Sequence, residues 1–244
     1  MSGRTFWLLL TVFCVATAHP ASAQDISINF GQGAGLTERV IQMIALLTVL
    51  SLAPSILIMV TSFTRIVVVL SLLRTALGSA TAPPNTVIVS LAMFLTVFVM
   101  APAFQRAYDE GIKPLVANEI EPQQAFERSA EPFRGFMLKN VREKDLKLFL
   151  DLSRQPIPEK AEDMPLQSLI PAFMISELKR AFEIGFLLFL PFLIIDLVIA
   201  SVLMSMGMMM LPPVVVSLPF KLIFFVLVDG WSLVAGSLVQ SYGT

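Results

Sequence analysis

Long apolar stretches alternate with one compact charged block, and that alternation predicts the elements. Val40–Thr64 and Thr75–Gln105 carry no charge, and beyond Glu183 only Asp196, Lys221 and Asp229 are charged. Between Arg106 and Arg180 stand 25 of the 35 charged residues, 12 basic and 13 acidic. Four segments reach the about 20 apolar residues that a membrane helix needs: Val40–Phe63, Asn85–Phe104, Ile184–Met206 and Val214–Val239. Pro54, Pro102, Pro191 and Pro219 interrupt them, each removing a helix hydrogen bond and favouring a kink. Such kinks are tolerated where neighbouring protein satisfies the freed backbone groups. The pattern predicts an all-α membrane protein with two kinked helical hairpins, 40–104 and 183–244, flanking a charged helical region, 105–182.

Within that region, Phe126, Phe133, Phe136 and Met137 recur at helical spacing. NVREKDLKLFLDLSR (Asn140–Arg154) reads as an amphipathic helix with Asn140 as its N-cap and Pro156 past its end. Gln155–Pro165 reads as a linker. The charge run is read as a solvated surface, with no metal or catalytic spacing in it.

Composition agrees with the membrane class: 56% hydrophobic, 14% charged, mean hydropathy +0.79. A net charge of −1 gives no basic character for nucleic acid. The first residues read as an export signal: Arg4, an apolar run Phe6–Ala16, and Ala21-Ser22-Ala23 before a cleavage point after Ala23. The alternative, an uncleaved membrane helix, fits poorly with so short a run followed by His19-Pro20. Cleavage of 1–23 would remove the only cysteine, Cys14, and the only histidine, His19. Disulfides, zinc sites with Cys or His ligands, haem histidines, cysteine nucleophiles and histidine bases then fall together, and no cofactor or metal site is expected. Residues 24–39 become a short periplasmic segment. Arg65 and Arg74, without an acidic partner in their loop, place that loop in the cytoplasm; the charged middle is then periplasmic and Pro212-Pro213 faces inward.

Two charges stand inside the last apolar segments, Asp196 in FLPFLIIDLVIASVL and Lys221 in VVVSLPFKLIFFVLV. Mid-bilayer charge costs about 2.5–3.5 kcal/mol on insertion scales, so such residues usually pair or line a polar path. They are equidistant from the methionine run MSMGMMMLPP, so an antiparallel hairpin turning near Met208-Met209 brings them level. Three roles are open for the pair: a structural ion pair, a proton or ion relay, or a charge that changes partner when a gate opens. Three are open for the run as well. The methionines could be adaptable apolar filler, soft thioether ligands for Cu(I), or a deformable seal. A turn carrying five methionines should be covered by something.

PAFMISELKRAFEIGF (Pro171–Phe186) and PFKLIFFVLVDGW (Pro219–Trp231) resemble the two signature segments of the flagellar biosynthetic protein FliP family. Thr61–Asn85 and Leu91–Pro102 resemble it too, and the likeness runs from about Leu36 onward. That family belongs to the type III protein export gate and has relatives in virulence injectisomes. The resemblance implies a homo-oligomer of five copies that joins FliR and several FliQ subunits in a helical gate of the bacterial inner membrane, at the flagellar basal body. It implies a non-enzymatic, pore-forming role in passing unfolded export substrates. It also implies that Met208, Met209 and Met210, with Met206 adjoining, form a gasket around the closed pore, and that Asp196 and Lys221 are the charged positions of the last hairpin. Much of that gate stands above the usual membrane plane, so the hairpins would be buried in protein. The signal sequence points to the flagellar branch. The competing reading is an ion- or metal-coupled membrane transporter or channel subunit. An intramembrane enzyme is weaker, since G-x-S-x-G, H-E-x-x-H and a glycine-rich phosphate loop are absent.

Overall fold

A computed structural model describes residues 36–79, 81–153, 164–208 and 210–243. The cleavage point after Ala23, most of the Gln155–Pro165 linker and Met209 lie outside the described residues. The described elements are helical: α1 (Leu36–Met59), α2 (Phe63–Ala76), α3 (Asn85–Ala107), a π-turn (Tyr108–Ile112), α4 (Lys113–Val116), α5 (Pro122–Asn140), α6 (Glu143–Ser153), α7 (Leu166–Ser205), α8 (Pro213–Leu227) and α9 (Gly230–Gln240). The chain divides into two units at Ser51/Leu52. In the described part of the first, Thr48 and Ser51 turn their hydroxyls back onto the carbonyls of Ile44 and Leu47, which lets a helix carry them in an apolar run.

In the second unit, α2 lies at the centre. Ile66, Val69, Leu70 and Leu73 follow the i, i+3, i+4, i+7 spacing of one helix face and are almost wholly buried. Around them pack Ile88, Ala92 and Val99 of α3, Ala181 and Phe192 of α7, Phe225 of α8, and Val234 and Leu238 of α9. This corrects the expectation that the stretch between the first two apolar segments is a loop. Arg65 and Arg74 interrupt the apolar run, yet they sit in a buried helix. A second cluster joins Met137 of α5, Leu150 of α6, and Leu169 and Phe173 of α7.

α7 runs unbroken for 40 residues, through Pro171 and Pro191. Pro102 and Pro219 likewise lie inside continuous helices. The divisions at 104/105 and 182/183 fall within α3 and α7, so the charged region continues the helices of the apolar hairpins. A sharp bend of 63° separates α8 from α9, where no proline stands. Asp229 takes a left-handed φ of 51° there, and Gly230 packs so closely on Phe225 that a Cβ would lie 2.2 Å from its ring. Asn140 is the last residue of α5, not an N-cap. Its amide donates to the Phe136 carbonyl at 2.9 Å, and α6 begins at Glu143.

Among the described residues, two helical stretches are long and apolar enough to cross a membrane, Asn85–Val116 and Leu166–Ser205, or up to four spans if each bent pair counts as one.

Candidate functional site

The α7–α8 hairpin is built by local backbone chemistry. α7 closes in a Schellman arrangement: Gly207 N–H donates to Met204 O at 3.1 Å and Met208 N–H to Leu203 O at 3.0 Å. Gly207 supplies the φ of 71° that this closure needs. Pro212 is extended and Pro213 opens α8 at its first position, where a missing N–H costs nothing. The turn therefore presents Met206, Met208 and Met210. All three are exposed within the single chain, Met210 at 98%. The cover expected for this tip is not supplied by the described residues.

Asp196 lies nine residues before the end of α7 and Lys221 eight after the start of α8, about 12–14 Å from the turn on each strand of the hairpin. Lys221 Nζ donates to Asp196 Oδ2 at 2.7 Å. The other carboxylate oxygen lies 2.5 Å from Ser217 Oγ, one turn earlier on α8. Lys221 also reaches the Ala76 carbonyl at 3.3 Å. That is the last turn of α2, where the helix dipole favours a cation. The lysine side chain is 4% exposed and the aspartate 32%, so the acid faces outward and the base is enclosed. The pair thus pins α8 to α7 and to the end of α2.

A second charged cluster was not foreseen. Arg65, on α2, makes a bidentate pair with Glu177 on α7, through Nε at 2.9 Å and through Nη2. Its Nη1 donates to Ser241 Oγ at 3.0 Å. The guanidinium stacks 3.8 Å over the Tyr242 ring, whose hydroxyl lies 2.5 Å from Glu177 Oε2. Phe136 of α5 also stacks on Tyr242, with ring centroids 5.7 Å apart. Arg65, Glu177 and Tyr242 are all buried. Burial, and the Glu177 carboxylate beside it, push the Tyr242 hydroxyl well above the ordinary phenol range, which keeps it a donor. The expectation that Arg65 lacks an acidic partner is corrected: the partner stands 112 residues away in sequence. The visible signal was Glu177 itself, the first charge of the short band ELKRAFE within the long apolar run of α7.

Outside the apolar elements, Arg142 and Ser176 converge on Asp145. Arg142 Nε donates to Oδ2 at 2.8 Å, and Ser176 Oγ lies 2.6 Å from the same oxygen. Burial alone would raise the Asp145 carboxyl, but the Ser176 hydrogen bond and the Arg142 charge together hold it below the ordinary aspartate value.

The FliP family model matches residues 46–238. The chain belongs to the FliP family. It is 64% identical over 236 residues to the flagellar biosynthetic protein FliP of Caulobacter vibrioides, covering 96% of this chain and 89% of that one. It is 55% identical over 202 residues to FliP of Bacillus subtilis (83% and 91% covered). With FliP of Aquifex aeolicus the identity is 52% over 204 residues (83% and 85% covered). The chain is thus an all-α FliP-family component of flagellar export carrying apolar helices of membrane-spanning length.

Proposed function

We propose that this chain is a pore-forming subunit of the flagellar type III export gate, non-enzymatic, passing unfolded flagellar proteins across the bacterial inner membrane. Several copies, five by family resemblance, join FliQ and FliR, and the 105–182 region faces the periplasm. The observation that carries the reading is the methionine tip. An apolar turn exposed on the single chain, and rigidly based on Asp196–Lys221, suits a position where like tips from several copies meet.

Met206, Met208, Met209 and Met210 form the seal in this account. A ring of apolar side chains excludes water and ions by dewetting. Unbranched thioether side chains mould around varied polypeptide sequence as it passes. Asp196 and Lys221 serve as the fixed base of the tip, with no proton carried.

The test is purification in mild detergent, with FliQ and FliR co-expressed, followed by mass measurement. A complex containing several copies of the chain is expected. A chain that stays monomeric with its neighbours present would overturn the proposal.

A further inference from the structure

Three ion pairs account for several of the charged groups on the apolar elements. Arg65 is paired with Glu177, Lys221 with Asp196, and Lys179 with Glu183 at 3.8 Å. Arg180 stands one turn from both Glu177 and Glu183 on α7, inside a charged band. Away from that band stand two residues of opposite sign, Arg74 and Asp229; like Arg180, neither has an oppositely charged side chain within 4.0 Å among the described residues.

Their surroundings explain why this matters. Asp229 is exposed at the bend between α8 and α9, and its carboxylate makes no capping bond to α9. Its neighbours Val226, Leu227 and Leu233 are exposed too, Leu227 at 80%. A bare carboxylate on such an apolar corner is costly in a membrane or a protein interface unless a cation meets it. Arg74 is half-buried and lines a groove between α2 and α7 with Val67, Val68, Leu72 and Phe182. Among the described residues, its guanidinium donates to neutral oxygens, Asn85 Oδ1 at 2.5 Å and Pro83 O at 3.4 Å. An anion on an exposed corner and a cation in an open groove, both set among apolar side chains, are complementary halves of one contact. They do not meet within a chain. A second copy supplies both halves at once, through a head-to-tail contact.

We propose that Asp229 of one copy pairs with Arg74 of a neighbouring copy, the α8–α9 corner seating in the α2–α7 groove. This rests on the multi-copy reading above and names the residues through which the copies touch. The pair is charge-assisted and set in apolar surroundings, so it fixes the register of neighbours as well as adding to their affinity.

The test uses the full chain co-expressed with its flagellar neighbours, in a Cys14→Ala background. Differently tagged Arg74→Cys and Asp229→Cys chains are expressed together and treated with a short bis-maleimide. The span suits an Arg–Asp pair, whose Cα atoms stand beyond disulfide reach. A cross-linked dimer carrying both tags is expected, and neither variant alone should give one. In parallel, Asp229→Arg should lower the yield of assembled complex about tenfold or more, and Arg74→Asp combined with Asp229→Arg should restore it. The pairing is overturned if an assembly shown by mass to hold several copies gives no mixed dimer. It is equally overturned if Asp229→Cys links instead to Arg180→Cys or to a different subunit. A monomeric chain in the presence of its neighbours would defeat the multi-copy reading and this pairing together, so the two failures are distinguishable.

Discussion

Replacing Tyr242 by Phe isolates one hydrogen bond in the cluster that joins α2, α7 and the segment after α9. The substitution keeps the ring 3.8 Å beneath the Arg65 guanidinium and the stack on Phe136, and deletes only the hydroxyl 2.5 Å from Glu177 Oε2. A hydrogen bond to a charged group contributes about 1.5–3 kcal/mol. Arg65 still holds the carboxylate, so the lower figure applies, about 1.5 kcal/mol or roughly tenfold in the unfolding equilibrium. Tyr242→Leu also removes a desolvated cation–π contact, about 2 kcal/mol, and an aromatic pair, about 0.5–1.5, for about 4–5 kcal/mol in all. Glu177→Ala leaves the Arg65 charge buried and uncompensated, which costs about 3–5 kcal/mol. Unfolding of the purified chain against increasing mole fraction of SDS in mild detergent measures all three. Phe as damaging as Leu at position 242, or Glu177→Ala within about 1 kcal/mol of the parent, would refute this account of the cluster.

Asp196→Lys and Lys221→Asp should each abolish motility singly, and combining them should recover part of it; no recovery would argue against a role limited to pairing. Recovery should be incomplete, because Lys221 also serves the Ala76 carbonyl, which an aspartate cannot. Gly111→Ala places a Cβ 2.0 Å from Ser129 Oγ and 2.8 Å from the Ala125 carbonyl, so it should push the π-turn from α5 and cost about 1–3 kcal/mol. Equal stability of that variant in the same SDS titration would show that the two segments part easily. Because the folded Asp145 carboxyl is held below its ordinary value, its contribution is full above the unfolded pKa and is lost as pH falls through the lower folded value. Amide exchange of α6 should therefore accelerate only in acid below the ordinary aspartate range. In Asp145→Asn it should already be fast at neutral pH; matching exchange profiles would contradict the linkage.

The legible parts of this protein were those written locally. The hairpin could be placed because Asp196 and Lys221 are lone charges equidistant from Met208-Met209, in a run that also carries a Gly and a Pro-Pro pair, and backbone closure at Gly207 depends only on its neighbours. α2 was misread because two arginines cut its apolar run, and span-counting treats any charge as a boundary. Its buried state depends on Glu177, 112 residues away, and on Tyr242, neither of which a local window sees. The same counting divided α7 at ELKRAFE, although Leu and Phe continue on both sides and Glu177 and Lys179 each have a partner. Asn140 has the residue type of an N-cap, but a helix C-terminus accepts Asn as readily when its amide can return to a carbonyl. The bend at Asp229 carried no proline signal; it comes from a left-handed residue beside a glycine pressed on Phe225.

The central claim is that the methionine turn seals a protein-conducting pore. The direct test is ion and small-dye flux through the purified, reconstituted complex, comparing the parent with Met208, Met209 and Met210 all replaced by Ala. The parent should be tight and the variant leaky, with mass measurement showing the same assembly in both. An intact variant complex that is as tight as the parent would contradict the seal.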